Sequence, residues 1–535
     1  MRRDHADRGL DTVGGSGPPL LRDPLLYGVA FITVAVCAPF FRYVQWLGDE
    51  GVVLHAATRI LGGEVLYRDF FEFLPPGSFL IVTAWMKLFG VGFASVRVLA
   101  VCVIAVIAAL LYAAARLSSG NRALAALLAT AWAVFSQGAW TVIGHHWFAT
   151  AASMASAVGL LRALEGAPRR GAAFAAGLFA GVAAMVTPTR GALLCFAAPA
   201  VLLTPLSARA RLLSAIAGTA LFPTAMILYL AAVGTLAAAF DDVIRYPARH
   251  YAEIQSVPFG SFATLTDAPS VALFPITFVL AGATFALKRS SIWREPRFRA
   301  SLALAIVGLL GIYPRPDIAH INFTAPLACP LFALVATDLL GRMGRRARLA
   351  TGALLIGLCL AGVGYRIKLM MAVVVGPLDA VPTARGLVVR RPNLWTDDFA
   401  TIVAQIDRVP TGDAFFFYPY SPMLPYLTAR RHVAAFDVMT PGYTTAAQFR
   451  ETCLRIVSEA QWVVIERSWS DPRKLRFLFP AMRDPDPPER RGFETALRLG
   501  FDKVAHTSTF FELRQRAESA SVELCDEIEA TSDAR

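Results

Sequence analysis

The residues best suited to chemistry are an adjacent acidic pair, Asp49 and Glu50, which follows the first long apolar stretch and is itself followed by Gly51. A carboxylate held at a membrane surface near further carboxylates, here Asp69 and Glu72, has its pKa raised and can act as a base. The same pair can hold a hard divalent cation such as Mg or Mn. Two acids at the start of a helix are equally favoured by the helix dipole, so position alone leaves base, metal ligand and helix cap open. A second cluster, Arg315, Asp317 and His320 in "YPRPDIAH", has residue types that bind phosphate or orient a base. Pro-rich hairpins between spans also carry such charges without function. A third cluster, "DDVIRYPARHY", holds Arg245, Tyr246 and His250 and can line an acceptor site. Its aromatics suit stacking on a sugar, although Tyr is also the ordinary residue of a membrane interface.

The elements that must position these groups are membrane helices. Of 535 residues, 56% are hydrophobic and 17% charged, against roughly 25% charged in soluble domains. The apolar residues fall in successive blocks of about 15 to 25, the length that crosses a hydrocarbon layer. The net charge of +12 does not point to nucleic acid. Its Lys and Arg collect in short connections such as "APRRG", "SARAR", "KRSSIWREPRFR" and "GRMGRRARL", the pattern of loops left on the cytoplasmic side.

The first span runs from about Leu25 to Leu47, after a polar stretch, 1-23, of disordered composition. The N-terminus, with Arg2, Arg3, Arg8 and Arg22, stays inside, which puts the loop 48-77 outside. Within that loop Val53, Ala57, Ile60 and Leu61 recur at helical spacing, with His55, Thr58 and Arg59 elsewhere. The pattern predicts a short helix lying in the interface. Further apolar segments begin near Phe79, Ala94, Ala123, Trp147, Ala172, Gly191, Leu212, Pro269, Ala300, Phe323 and Ala350. Gly77 and His146 must lie on the same side, so one of the short segments near Phe79 or Ala123 inserts only partly. The expected fold is thus an α-helical polytopic membrane protein of about 11 spans plus a partial helix, occupying 24-375.

Beyond Gly376 the chain turns polar, and "DAFFFY", "WVVIE" and "STFFELR" suit strands. A small external α/β domain over 376-516 follows, with a frayed acidic tail over 517-535. Cys453 and Cys525 lie in this part, where a disulfide is possible; no Cys/His cluster suggests zinc. The location implied is a bacterial cytoplasmic membrane, with the C-terminal domain periplasmic. Ionisable residues gather in the external loops, which favours chemistry at the outer face over a proton-coupled pump. A lipid or polysaccharide transporter would show internal repeats, and none is visible; a non-catalytic envelope assembly protein is the other alternative.

Order and spacing carry a resemblance. The external Asp49-Glu50 is followed by "GGEVLYRDFFEFLPPGSFLIVTAWMKLFG" and by a span opening "SVRVLAVCV" and closing "LLYAAARL". From Asp49 to Arg116, and more loosely to Leu203, this resembles the family 39 glycosyltransferases of the GT-C type. That family includes protein O-mannosyltransferases and the aminoarabinose transferases acting on lipid A. The resemblance implies a GT-C fold and inverting transfer of a hexose or pentose from a polyprenyl-phosphate donor to a glycan, lipid or protein acceptor. It implies Asp49 as the general base, with Glu50 beside it.

The departing phosphate then needs cationic support, for which Arg68, Arg190, Arg315, His320 and His146 are the candidates; any of these arginines can also be an ordinary interfacial anchor. Asp69, Glu72, Arg245, Tyr246 and His250 remain for the acceptor side. Three departures from the family pattern stand out: Leu74 where relatives carry Lys before Pro-Pro, His145 and His146 where many have a second acid, and Thr187 in place of a usual Lys, with Arg190 one turn later.

Overall fold

The computed structural model describes residues 18–137, 140–165, 169–203, 209–288, 290–526 and 528. The expectations for Arg2, Arg3, Arg8 and the rest of 1–17, for the connection at Arg289, and for 529–535 lie outside them. Among the described residues nine α-helices come first: α1 Pro24–Cys37, α2 Asp49–Leu61, α3 Gly77–Phe89, α4 Phe93–Ser119, α5 Arg122–Ser136, α6 His145–Ala163, α7 Arg170–Ala184, α8 Pro188–Leu202 and α9 Arg209–Ala232. Ala268–Lys288, Pro296–Leu310, Cys329–Arg342 and Arg345–Val374 complete the apolar set.

Local sequence explains where these helices start and how they meet. Asp23 caps α1, accepting from the Leu25 N–H, and its buried carboxylate also takes Arg116 from α4 and Arg122 at the start of α5, each at 2.6 Å. One side chain thus gathers three helix ends. In α7, Gly177 and Gly181 stand four apart, the spacing that lets membrane helices approach closely. A Cβ on Gly177 would lie 1.9 Å from the Ala215 carbonyl oxygen, so α9 crosses in backbone contact.

By length and composition, four helices among the described residues can cross a membrane alone: α4, α9, Leu265–Lys288 and Arg345–Val374. The two short segments, of which one was expected to insert only partly, are both helices shorter than the hydrocarbon layer. With 13 residues in α3 and 15 in α5, they extend only about 20 Å at 1.5 Å per residue, against about 30 Å of hydrocarbon. The segment read as one span from Phe323 is broken instead. Ile318–Leu327 meets Cys329–Arg342 at 61°, with Pro326, which lacks an N–H donor, in the turn between them. The break turns His320 and Phe323 toward the start of α6. Residues 241–251, read as a loop, form a widened π-type helix.

The C-terminal part holds a hairpin, β1 Asp379–Thr383 with β2 Gly386–Arg390, and a four-stranded sheet. The sheet comprises β3 Phe415–Tyr418, β4 Trp462–Glu466, β5 Lys503–Thr507 and β6 Phe511–Gln515, in the order β3-β4-β6-β5 with only β3 and β4 parallel. All four residues of β3 are buried, as an uninterrupted "FFFY" run requires. Cys453 and Cys525 are disulfide-bonded. The bond corrects the expectation of fraying from 517: the chain is held down to Cys525, which is fully buried.

The expected interfacial helix is also corrected. α2 is buried on nearly every side, with His55 only 4% and Arg59 only 6% exposed. Its polar side is a docking face rather than a wet one. His55 Nδ1 meets the Asp437 carboxylate at 2.8 Å, and Arg59 donates to the Ala434 carbonyl at 3.0 Å. Val53, Leu54, Met423, Leu424 and Phe415 share one hydrophobic core, so the C-terminal domain and this loop fold as a unit.

Candidate active-site cavity

Asp49 sits in the first turn of α2, where the C-terminal domain comes closest. The Met423 N–H donates to the Leu47 carbonyl at 3.0 Å. A Cβ on Gly51 would lie 2.2 Å from the Met423 nitrogen, and one on Gly48 would lie 2.7 Å from the Tyr420 ring. The two glycines bracketing the acidic pair therefore make room for residues 420–423. Through that approach the Tyr420 hydroxyl donates to the Asp49 carboxylate.

The two acids then part, as neighbours about 100° apart on a helix must. Asp49 stays accessible from a cavity of about 960 Å³, open mouth included. Protein walls displace bulk water around it, which raises its pKa above the usual Asp value; the Tyr420 hydrogen bond and attraction to His320 and Arg315 oppose the rise without cancelling it. The burial of Tyr420, reinforced by the Asp49 charge, pushes the phenol well above its usual range and keeps it a donor. Glu50 turns inward instead. It accepts from Arg97 of α4 at 2.8 Å and from the Ile143 N–H at 3.0 Å, and is 2% exposed. Both its oxygens are engaged, so it locks α2 to its neighbours and does not face the cavity.

That division bears on a divalent cation. Asp49 is left beside Arg315 and His320, and although Glu72 lines the same cavity, among the described residues no three His, Cys, Asp or Glu side chains converge as ligands. Such a donor set does not fit a hard ion that takes six or more oxygens.

One wall of the cavity is basic and comes from the loop before Ile318–Thr324 and the start of α6. Arg315 donates from Nε to Asp317 at 2.7 Å, from Nη1 to Gln255 Oε1 at 2.9 Å and from Nη2 to the Leu478 carbonyl at 2.9 Å. It thereby fastens the membrane part to the C-terminal domain. Asp317 also caps its helix and holds His320 Nδ1 at 2.7 Å, which puts the proton on Nδ1 and leaves Nε2 for another partner. Burial pushes Asp317 up, but its bonds from His320 and the charges of His320 and Arg315 outweigh it and hold the carboxyl below its usual value. His146 packs flat on Phe323 at 4.4 Å and edge-on to His320 at 4.8 Å, with His145 3.9 Å away. Its Nδ1 is buried without a hydrogen-bond partner among the described residues.

The opposite wall is formed by Glu72 and Phe73 from the first loop, Tyr251, and Thr440 and Tyr443 from the C-terminal domain. Of the expected site residues, Asp49, Glu72, His146, Arg315 and His320 meet here. Arg190 stands behind the histidines, fully buried, donating to Thr150 at 2.8 Å and to the Phe323 carbonyl at 3.3 Å. Arg68 pairs with Asp69 at 2.8 Å on the surface, and Arg245 with Asp241 at 2.6 Å. Tyr246 backs the cavity from outside, its ring against Phe71, Phe73 and His250. The unforeseen contributors are Tyr420, Thr440, Tyr443, Trp469 and Phe479. Only the Gly48 and Gly51 spacing hinted that something would pack so close to the acids.

No protein-family model and no curated protein matches the sequence. Among solved structures, the chain is similar to ArnT from Cupriavidus metallidurans bound to undecaprenyl phosphate. The TM-score is 0.57 at 13% identity, covering 93% of this chain and 98% of that one. The apo state of the same protein gives a TM-score of 0.51 at 12% identity, with 94% and 98% covered. Likeness at this identity establishes the fold, and the chain has the GT-C fold: a helical membrane domain with a small C-terminal α/β part.

Proposed function

We propose that this chain is an inverting glycosyltransferase that moves a sugar from a polyprenyl-phosphate donor to an acceptor hydroxyl at the outer face of a bacterial cytoplasmic membrane. The observation that carries the reading is Asp49, the solvent-accessible carboxylate of a cavity that has a basic wall on one side. The overlap in fold with a protein solved with undecaprenyl phosphate supports the choice of donor.

The acceptor hydroxyl oxygen attacks the sugar C1 while its proton passes to Asp49. The C1–O bond to the phosphate breaks, its electron pair stays on the phosphate, and the configuration at C1 inverts. A base works best with a pKa near the operating pH, and general base catalysis is worth about 10² to 10⁴ in rate; the raised pKa of Asp49 serves that end. Tyr420 occupies one oxygen and steers the other into the cavity. Negative charge growing on the leaving phosphate is met by the Arg315 guanidinium, by His146, and by His320 when its Nε2 also carries a proton. These replace the Lys that Leu74 does not supply.

The test is Asp49→Asn in cells, compared with the unaltered chain by mass spectrometry of envelope glycolipids and glycoproteins. The reading expects one glycan to disappear while the variant reaches the membrane at normal level. Identical glycan profiles would count against it.

A further inference from the structure

Glu72 is an anomaly the transfer chemistry leaves unexplained. It lines the cavity and is only 4% exposed, yet its carboxyl makes no hydrogen bond or ion pair within the protein among the described residues. A carboxyl that opens onto a cavity without a protein partner is free to bond to a ligand there. Burial, with the nearby negative Asp437, raises its pKa well above the usual Glu value, which favours the protonated, hydrogen-bond-donating form. The charges acting on Asp49 are His320, Arg315 and Asp317, whereas those acting on Glu72 are Asp437, Arg59 and Asp242. The two carboxyls therefore have different charged neighbours within one cavity, with Tyr251 and Tyr443 reached also by the charges of Asp49 and Arg315.

The surroundings of Glu72 define what it can hold. Phe73, Tyr251 and Tyr443 form a triangle of rings with centroids 5.4 to 6.0 Å apart. The hydroxyls of Tyr251, Tyr443 and Thr440 also have no hydrogen-bond partner within the protein among the described residues, and all three residues line the cavity. Aromatic faces beside several unpaired hydroxyl groups and a protonatable carboxyl suit a ligand that is apolar on its ring faces and rich in hydroxyls at its edge, which is a sugar ring. Beside Glu72 a phosphate would meet Asp437 and Asp242 with Arg59 as the opposing cation, and an alkyl chain would leave every one of these polar groups unpaired.

We propose that the part of the cavity around Glu72 is a subsite for an uncharged sugar ring of the acceptor, with Glu72 and Tyr443 hydrogen-bonding its hydroxyls. The acceptor is then a glycan or glycolipid. Only the word acceptor rests on the transferase reading; the sugar site stands without it.

Donor-free binding separates the two. The full chain in lipid nanodiscs is titrated by saturation-transfer NMR with methyl α-D-mannopyranoside, methyl β-D-glucopyranoside, methyl β-D-galactopyranoside and methyl α-L-arabinofuranoside, and with a blocked Ser/Thr peptide. At least one glycoside is expected to bind. Glu72→Leu should weaken it about five- to tenfold, the worth of one or two neutral hydrogen bonds, and Tyr443→Leu likewise. Because the carboxyl has no partner in the fold, Glu72→Leu should leave the melting temperature unchanged or raised; a structural role would lower it. Absence of binding by all four glycosides, binding of the peptide instead, or glycoside binding indifferent to both variants overturns the subsite. Glycoside binding without any Asp49-dependent transfer keeps the subsite and removes the transferase reading.

Discussion

Tyr420→Phe removes one hydroxyl from the cavity and leaves the ring that packs on Gly48 and edge-on against Trp469 at 5.0 Å. Among the described residues that hydroxyl makes the only hydrogen bond to Asp49 from a side chain of the C-terminal domain, and its effect is to hold the Asp49 pKa down against the burial that raises it. The sign follows directly. Without the hydroxyl the carboxylate loses a stabilising donor, its proton binds more tightly, and the acid limb of the rate profile moves to higher pH. A hydrogen bond to a charged group contributes about 1.5 to 3 kcal/mol, or about 10- to 150-fold in proton binding. On the acidic side of the profile the variant should therefore turn over about 10- to 150-fold more slowly than the unaltered chain. At alkaline pH, where Asp49 is ionised in both, the rates should converge. The assay is release of polyprenyl phosphate by purified protein across a pH series. A uniform loss at all pH values, or an acid limb moved to lower pH, would refute the assignment of Asp49 as the titrating base.

Three further outcomes follow from the same geometry. Glu50→Gln should act on the fold, because it strands the fully buried Arg97; breaking such a pair costs about 3 to 5 kcal/mol, read as a fall in melting temperature of the detergent-solubilised protein. Gly51→Val places a side chain on the Met423 backbone, so it should undock the C-terminal domain, exposing residues near 420 to protease and abolishing transfer together. Arg315→Lys keeps the charge but loses the fork that reaches Asp317, Gln255 and Leu478; kcat/KM for the donor should drop by about 10² to 10³, the worth of one donor aimed at developing charge.

Much of the membrane domain was legible because its signal is local. An apolar run of fixed length reports a helix with no knowledge of its neighbours, and each segment foreseen from Phe79 to Ala350 becomes helical within a few residues of its expected start. Bends and shortfalls were less legible. The break at Pro326 needed the knowledge that the helix on its far side would carry His320 to α6. Within the site, Asp49, Arg315 and His320 were visible as unusual residue types at loop ends. The fate of Glu50 was not, since its partner Arg97 lies 47 positions away and reads as an ordinary arginine near a span end. The C-terminal wall was hidden for the same reason. Tyr420, Thr440 and Tyr443 lie in a stretch with no periodic pattern, and only tertiary docking brings them over α2. Arg68, Asp69 and Arg245 are chemically suitable types whose ion pairs sit at the surface.

The central claim is that Asp49 accepts the proton from the acceptor as the sugar moves from polyprenyl phosphate with inversion. The most direct measurement uses purified protein in nanodiscs with a polyprenyl-phosphate sugar and a glycan acceptor, following released polyprenyl phosphate and the anomeric configuration of the product by NMR. The unaltered chain should release the lipid phosphate and give product of inverted configuration; Asp49→Asn should bind the lipid phosphate equally well and turn over about 10² to 10⁴ times more slowly. Equal turnover by the Asn variant, or a product with retained configuration, would contradict the account.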